Sequence, residues 1–224
     1  MILKMLGIAL RKLSRIPSFL SRVVQGKLGR KNLLTLQRHD TYEDYVGKQV
    51  KKTNDAARIK KWQNKEWDSK VEGFIGIFSN LNIDLANKPA LCLGSRTGQE
   101  VHALQFLGAP AKGIDLVAFP PYTEVGDVHA LTFDDETFSL VFTNIFDHVL
   151  YPEKFAREAS RVLAPKGLLV IRAQLGFRGD DFSETFITSK DPLIQLFSHL
   201  ELVDSQELRD QFDGMDVQLV FSKP

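Results

Sequence analysis

One cysteine in 224 residues excludes an internal disulfide and the small disulfide-framed folds built on them, and it fits a reducing compartment. Lys4, Arg11, Lys12 and Arg15 interrupt the N-terminal apolar positions. No apolar run of about 18 residues survives there, so that segment is not expected to span a bilayer. Internal repeats and low-complexity tracts are absent. No set of ligand residues has recognisable metal spacing, and the acidic run Asp134-Asp135-Glu136 reads as a solvated turn. A G-x-G-x-x-G fingerprint is also missing, which argues against a dinucleotide-linked oxidoreductase. Acids are missing from residues 1–39, which carry nine Lys and Arg. The other 20 basic residues therefore face all 28 acids, leaving the rest of the chain at net −8, a balance that argues against a nucleic-acid substrate.

What is present is the composition of one α/β core plus an extension, with 43% hydrophobic and 25% charged residues. Residues 1–40 read as a basic amphipathic leader. On a helix, Ile2, Leu6, Ala9, Leu13, Ile16, Leu20 and Val23 share a face, with Lys4, Arg11, Arg15 and Arg22 roughly opposite and Pro17 as a kink. Three readings stay open: a helix on an anionic membrane surface, an organelle targeting segment, or a helix packed on a partner or on the domain. Localisation is accordingly expected to be intracellular, cytoplasmic or peripheral on a membrane through residues 1–30. Residues 41–81 read as a helical cover with a break near Lys51 to Asp55. Val71, Phe74, Ile75, Phe78 and Leu81 form its core-facing stripe, and Trp62 and Trp67 before it read as packing residues.

From residue 86 onward the pattern is strand, helix, strand, loop, strand, helix, strand, as expected of a parallel sheet with right-handed crossovers. Ala90 to Leu93 is a short apolar run that turns through Gly94 and Gly98 into a helix, a geometry that points backbone N–H groups and a helix N-terminus at a ligand. Cys92 within that run reads as a small buried hydrophobe. Gly113-Ile114-Asp115-Leu116 ends a second strand in a carboxylate 17 residues after Gly98, where an acid accepts hydrogen bonds from ribose hydroxyls. Asp127 follows on a loop, and Ser139 to Thr143 is the next buried strand. A helix, Glu153 to Leu163, is stopped by Pro165 and Gly167 before the apolar run Leu168 to Ile171. Phe177 to Lys190 is a polar connection, Leu193 to Leu200 a helix, and Glu201 to Glu207 with Met215 to Ser222 a closing pair of strands.

These motifs resemble the class I S-adenosylmethionine-dependent methyltransferases, in particular the branch with a type 11 methyltransferase domain. The resemblance implies a Rossmann-like, doubly wound, mostly parallel seven-stranded sheet with an antiparallel last strand, preceded by an N-terminal helical extension. It implies S-adenosyl-L-methionine as cofactor, with Leu93, Gly94, Ser95, Arg96 and Gly98 passing its methionine part. Asp115 with Leu116 would hold the ribose, Asp127 with Val128 the adenine, and Asn144 would open the loop that floors the transfer site. The chain departs from the family at Cys92, where an acid is usual, and at Arg96, where a glycine is usual. Asp147 and His148 in the floor loop are the catalytic candidates. His148 could take a proton from an acceptor, or be a packed, hydrogen-bonded ring closing the loop. The implied function is methyl transfer to a small molecule. The alternative is a methyltransferase-fold protein that binds a ligand or partner without catalysis.

Overall fold

In the computed structural model, which describes residues 28–29, 33–35, 39–176, 180–209 and 212–224, two short strands come first, β1 (Leu28–Gly29) and β2 (Leu33–Thr35). A helical cover follows: α1 (Tyr42–Thr53), α2 (Ala56–Lys60) running into a π turn (Lys61–Lys65), and α3 (Trp67–Ser79). The core then reads β3 (Ala90–Leu93), α4 (Gln99–Phe106), β4 (Ala111–Asp115), β5 (Thr123–Val125), β6 (Phe138–Thr143), a 3-10 turn (Phe146–His148), α5 (Pro152–Val162) and β7 (Leu163–Ala173). It closes with β8 (Thr185–Ile187), α6 (Asp191–Leu196), β9 (Glu201–Glu207) and β10 (Val217–Ser222). The leader helix expected up to Val23 lies outside the described residues.

Seven strands form one sheet in the order β5-β4-β3-β6-β7-β10-β9, and all neighbours through β7 are parallel. β10 runs antiparallel to both β7 and β9. The fold is therefore the Rossmann-like, mostly parallel sheet with an antiparallel last strand. Alternation along each strand divides the core between two faces. Leu91, Leu93, Val141, Leu169 and Ile171 pack with Phe155 and Ala159 of α5 and Leu193 of α6. Ala90, Cys92, Leu140, Phe142 and Val170 meet Phe74 and Phe78 of α3 and Val101 and Leu104 of α4 on the other face.

Four details differ from the sequence expectations. Pro165 and Gly167 do not separate a helix from a strand that begins at Leu168. β7 starts at Leu163, directly after α5, and the two residues build an irregularity inside it, with Lys166 at φ 60° and the register to β6 shifting between Phe138 and Leu140. The last helix ends at Leu196 rather than Leu200. The connection after β7 contains a strand: β8 pairs antiparallel with β2, which pairs with β1, giving a separate three-stranded sheet. Residues 28–29 and 33–35, counted with the leader on charge, thus add strands to this small sheet. Among the described residues no helix is long and apolar enough to cross a membrane.

The cover is fixed by ordinary chemistry at its start. Thr41 accepts from Asp44 N and Asp44 Oδ2 accepts from Thr41 N, both at 3.1 Å, a reciprocal capping box. The buried stripe of α1 is unusual in being polar, because Tyr45, Gln49, Lys52 and Thr53 at helical spacing all turn inward.

Candidate functional site

That polar stripe faces a cleft of about 340 Å³ at the carboxyl ends of β3, β4 and β6. The chain leaves β3 toward β4 on one side and returns to β6 on the other. Such a switch point leaves a crevice outside the strand ends, where ligands bind in open α/β sheets.

The floor of the cleft is the turn after β3. Gly94 and Gly98 take φ +78° and +88°, and a Cβ on either would lie 2.4 Å from Ile145 or 2.2 Å from Tyr122, so only glycine fits. Arg96 stands between them at φ 46°, in the left-handed region without being glycine. Its backbone N–H donates to Asp115 Oδ2 at 3.1 Å, and its guanidinium lies 5.0 Å over the Trp62 ring. The ring of Trp62 therefore carries the arginine that replaces the usual glycine. Lys70 of α3 lines the same end of the cleft.

Of the residues proposed to hold a cofactor, Gly94, Arg96, Asp115, Leu116, Asp127, Val128 and Asn144 line this one cleft. Leu93 and Ser95 are buried behind it, with Ser95 Oγ 2.9 Å from Thr123 Oγ1, and Gly98 starts α4. Burial pushes the Asp115 carboxyl up from its usual range, against backbone donors that include Arg96 N–H. Asp127 goes the other way. Partial burial opposes its ionisation, but donors from His129 and the Tyr42 hydroxyl, the latter at 2.6 Å, outweigh it and hold the carboxyl down at about 2. Tyr42 also stacks on Tyr151, with ring centroids 5.7 Å apart. α1 is thereby tied to the loop that carries Asp127.

Asp147 and His148 lie on the 3-10 turn after β6, just beyond Ile145, which packs against the glycine turn, and both line the cleft. Ser183 Oγ donates to Asp147 Oδ2 at 2.8 Å, and Asp147 Oδ2 is 3.7 Å from His148 Nε2. His148 Nδ1 is 3.0 Å from the Phe182 carbonyl, so that nitrogen carries the proton and donates. Nε2 is then the acceptor, and it receives Lys52 Nζ at 2.8 Å. Burial and the Lys52 charge push the imidazole down from its usual value, against the pull of Asp147, so the ring is held neutral. Both nitrogens are committed in this arrangement. To act as a base the ring would first have to be released by Lys52.

Sequence reading did not single out Tyr42, Tyr45, Gln49, Lys52, Lys70 or Asp180, although each either lines the cleft or bonds to a residue that does. One signal was available: Tyr45, Gln49, Lys52 and Thr53 fall at i, i+4, i+7 and i+8, the positions an amphipathic helix would give to apolar side chains. A polar stripe on the inner face of a helix points to a site.

The family model described as a methyltransferase domain matches residues 91–171. No curated protein matches the chain by sequence. Among solved structures, the 1,6-didemethyltoxoflavin-N1-methyltransferase of Burkholderia thailandensis, with 1,6-didemethyltoxoflavin and S-adenosylhomocysteine bound, superposes at TM-score 0.65 and 14% identity over 88% of this chain and 97% of its own. A SAM-dependent methyltransferase from Methanosarcina mazei gives TM-score 0.51 at 16% identity over 66% and 96%. The SpnF cyclase gives 0.57 at 14% over 67% and 79%. Likeness at these identities is a likeness of fold, and one of the three proteins is a cyclase, so the chemistry has to be argued from the residues.

Proposed function

We propose that the chain is a class I methyltransferase that transfers a methyl group from S-adenosyl-L-methionine to a small molecule, a reading supported by the methyltransferase-domain match over residues 91–171 and by the likeness of fold. The observation that carries this is convergence: the glycine turn, Asp115, Asp127 and Asn144, spread over 51 residues of sequence, line one cleft. In this reading Asp115 and Leu116 take the ribose, Asp127 and Val128 the adenine, and the Leu93–Gly98 turn with Asn144 the methionine part. Arg96 and Lys70 supply cations suited to its carboxylate. The cofactor brings a methyl group activated on a sulfonium, so the chain has chiefly to align donor and acceptor and to exclude water. Asp147 and His148 border the acceptor side, where the neutral ring and its carboxylate neighbour fix the loop's shape. The acidic body and the size of the cleft favour a small acceptor over a nucleic acid.

S-adenosylhomocysteine should raise the melting temperature of the protein, because a ligand that binds only the folded state at 100 times its dissociation constant adds about 2.7 kcal/mol. Asp115→Asn keeps the Arg96 N–H partnered and removes the charge. It should weaken binding about 10- to 100-fold, as expected for hydrogen bonds to an ionised group. No shift of the wild type at millimolar S-adenosylhomocysteine, or a shift with NADH instead, defeats the assignment.

For the leader we propose the surface reading, a helix lying on an anionic membrane. Truncation after Lys27 spares β1 and β2. Full-length protein should bind anionic vesicles at low ionic strength and release them as salt shortens the Debye length, while the truncated protein should ignore them. Equal binding by both proteins would remove the leader from the account.

A further inference from the structure

The acceptor side of the cleft holds a buried cation without a close carboxylate. Lys52 is 9% exposed. Its nearest polar partner is a neutral imidazole nitrogen at 2.8 Å. Among the described residues the carboxylate oxygen within ion-pair range is Asp180 Oδ2 at 3.5 Å, on a side chain 46% exposed to solvent. The Phe182 ring lies 5.1 Å from the ammonium. Burial, with Arg96 on the glycine turn and Arg58 on α2, lowers the ammonium from its ordinary value, and Asp180 and Asp147 oppose that shift, so an anion in the cleft would hold it charged. An ammonium has three N–H donors. One goes to His148 and one points at Asp180 at long range, which leaves the third for whatever enters the cleft.

His148, meanwhile, offers no place for a proton. Its Nδ1–H is spent on the Phe182 carbonyl and its Nε2 lone pair on Lys52. An acceptor that must lose a proton as it reacts would find no base in this arrangement. One that arrives ionised needs none, and would give Lys52 a closer counter-charge than Asp180 at 3.5 Å.

We propose that the methyl acceptor is a small oxyanion, a carboxylate or an acidic enol or phenol, seated on the free N–H of Lys52, with His148 acting as the positioning residue that holds the ammonium at the cleft. This rests on the methyltransferase reading above. An oxygen lone pair of the acceptor forms the new C–O bond while the C–S bond breaks with its electrons going to sulfur. The products are a methyl ester or ether and S-adenosylhomocysteine, and no proton is transferred. Lys52 neutralises the anion that would otherwise repel Asp147 and Asp180, and Gln49, donating to the Phe182 carbonyl at 2.8 Å, keeps α1 against the segment that carries Asp180.

The test uses full-length protein saturated with S-adenosylhomocysteine and three probes of one shape and different charge: benzoate, benzamide and benzamidine. Calorimetry should show benzoate binding at least about 10-fold more tightly than benzamide, with benzamidine weakest, because only the anion makes a charge-assisted bond. Lys52→Met should erase that ranking with S-adenosylhomocysteine binding retained, and Lys52→Arg should keep most of it. Benzamide or benzamidine binding as well as benzoate to the wild type overturns the proposal without any variant, and so does a benzoate preference that survives Lys52→Met. Label from S-adenosylmethionine should enter pooled carboxylates or phenols, and alkali, which frees it from an ester but not from an ether, tells these two apart. Label confined to pooled amines or aliphatic alcohols overturns the proposal. Absence of S-adenosylhomocysteine binding in the wild type is a different failure, that of the methyltransferase reading itself.

Discussion

Arg172→Met should cost the protein about 3–5 kcal/mol, the usual penalty for removing one partner of a buried ion pair. Arg172 on β7 and Asp213 in the turn before β10 are each 2% exposed. Arg172 Nε donates to Asp213 Oδ2 at 2.6 Å, one Nη to Asp213 Oδ1 at 3.1 Å, and the other to Gln218 Oε1 at 2.8 Å. Gln218 sits opposite Arg172 in the β7–β10 register, so the guanidinium is held by a cross-strand neighbour as well as by the turn. The substitution leaves the Asp213 carboxylate buried with its main donor gone, and thermal unfolding should begin about 6–20 °C lower. The double variant Arg172→Met, Asp213→Leu should regain much of the loss, since replacing both members leaves no orphaned charge. A single variant within about 1 kcal/mol of wild type in denaturant titration would show that the pair is solvated or dispensable. Asp213 and Met215 line the cleft, so the pair also fixes that wall.

This pair shows where sequence reading stopped. The strands Ala90–Leu93 and Ala111–Asp115 could be read because local composition decides them: apolar runs bounded by glycine and a terminal acid. The alternation from Phe138 to Thr143 was legible for the same reason. Once those strands are parallel neighbours, the acids at their ends have few places to go, and Asp115 and Asp127 come to the same cleft. The contacts that complete the site join residues far apart in the chain. Tyr42 meets Asp127 across 85 positions and Lys52 meets His148 across 96. Nothing periodic marks such pairs. Each depends on how the cover docks, which is a property of the assembled sheet. Pro165 and Gly167 illustrate the other limit. As local signals they end a helix, yet Lys166 N–H donates to the Lys223 carbonyl at 2.8 Å, and that partnership turns the segment into an irregular strand start. Cys92 and Arg96, the two departures from the family pattern, find local reasons once neighbours are known. Cys92 is core, and Arg96 rests on a tryptophan from the cover.

Glu100→Gln should make the protein more stable at pH 8 and leave it nearly unchanged at pH 4. Glu100, in the first turn of α4 beneath the glycine turn, is 4% exposed. Burial raises its carboxyl to about 7 despite the nearby charges of Arg96 and Lys70, which favour ionisation. An acid whose folded value lies above its unfolded one binds a proton more tightly when folded. Between about 4.5 and 7 the unfolded chain has lost that proton and the folded one has not, so stability falls as pH rises through this window and is flat on either side. The fall is worth about 3 kcal/mol at about 1.36 kcal/mol per pH unit. Glutamine keeps the shape and removes the titration, so at pH 8 the variant should melt about 6–12 °C higher. Equal melting differences at pH 4 and pH 8 would mean that Glu100 is solvated in the folded state. The consequence reaches the site. A Glu100 that is about half protonated near pH 7 places only part of a charge near Arg96 and Lys70, so both cations, although Lys70 also pairs with Glu66 at 3.7 Å, can meet a carboxylate at that end of the cleft. In the variant, which is neutral at every pH, S-adenosylhomocysteine affinity should no longer fall as pH rises from 6 to 8. The wild type should show that decline, because the Glu100 carboxylate forming over this range competes for the same two cations. A parallel decline in both proteins would assign the pH dependence to another group.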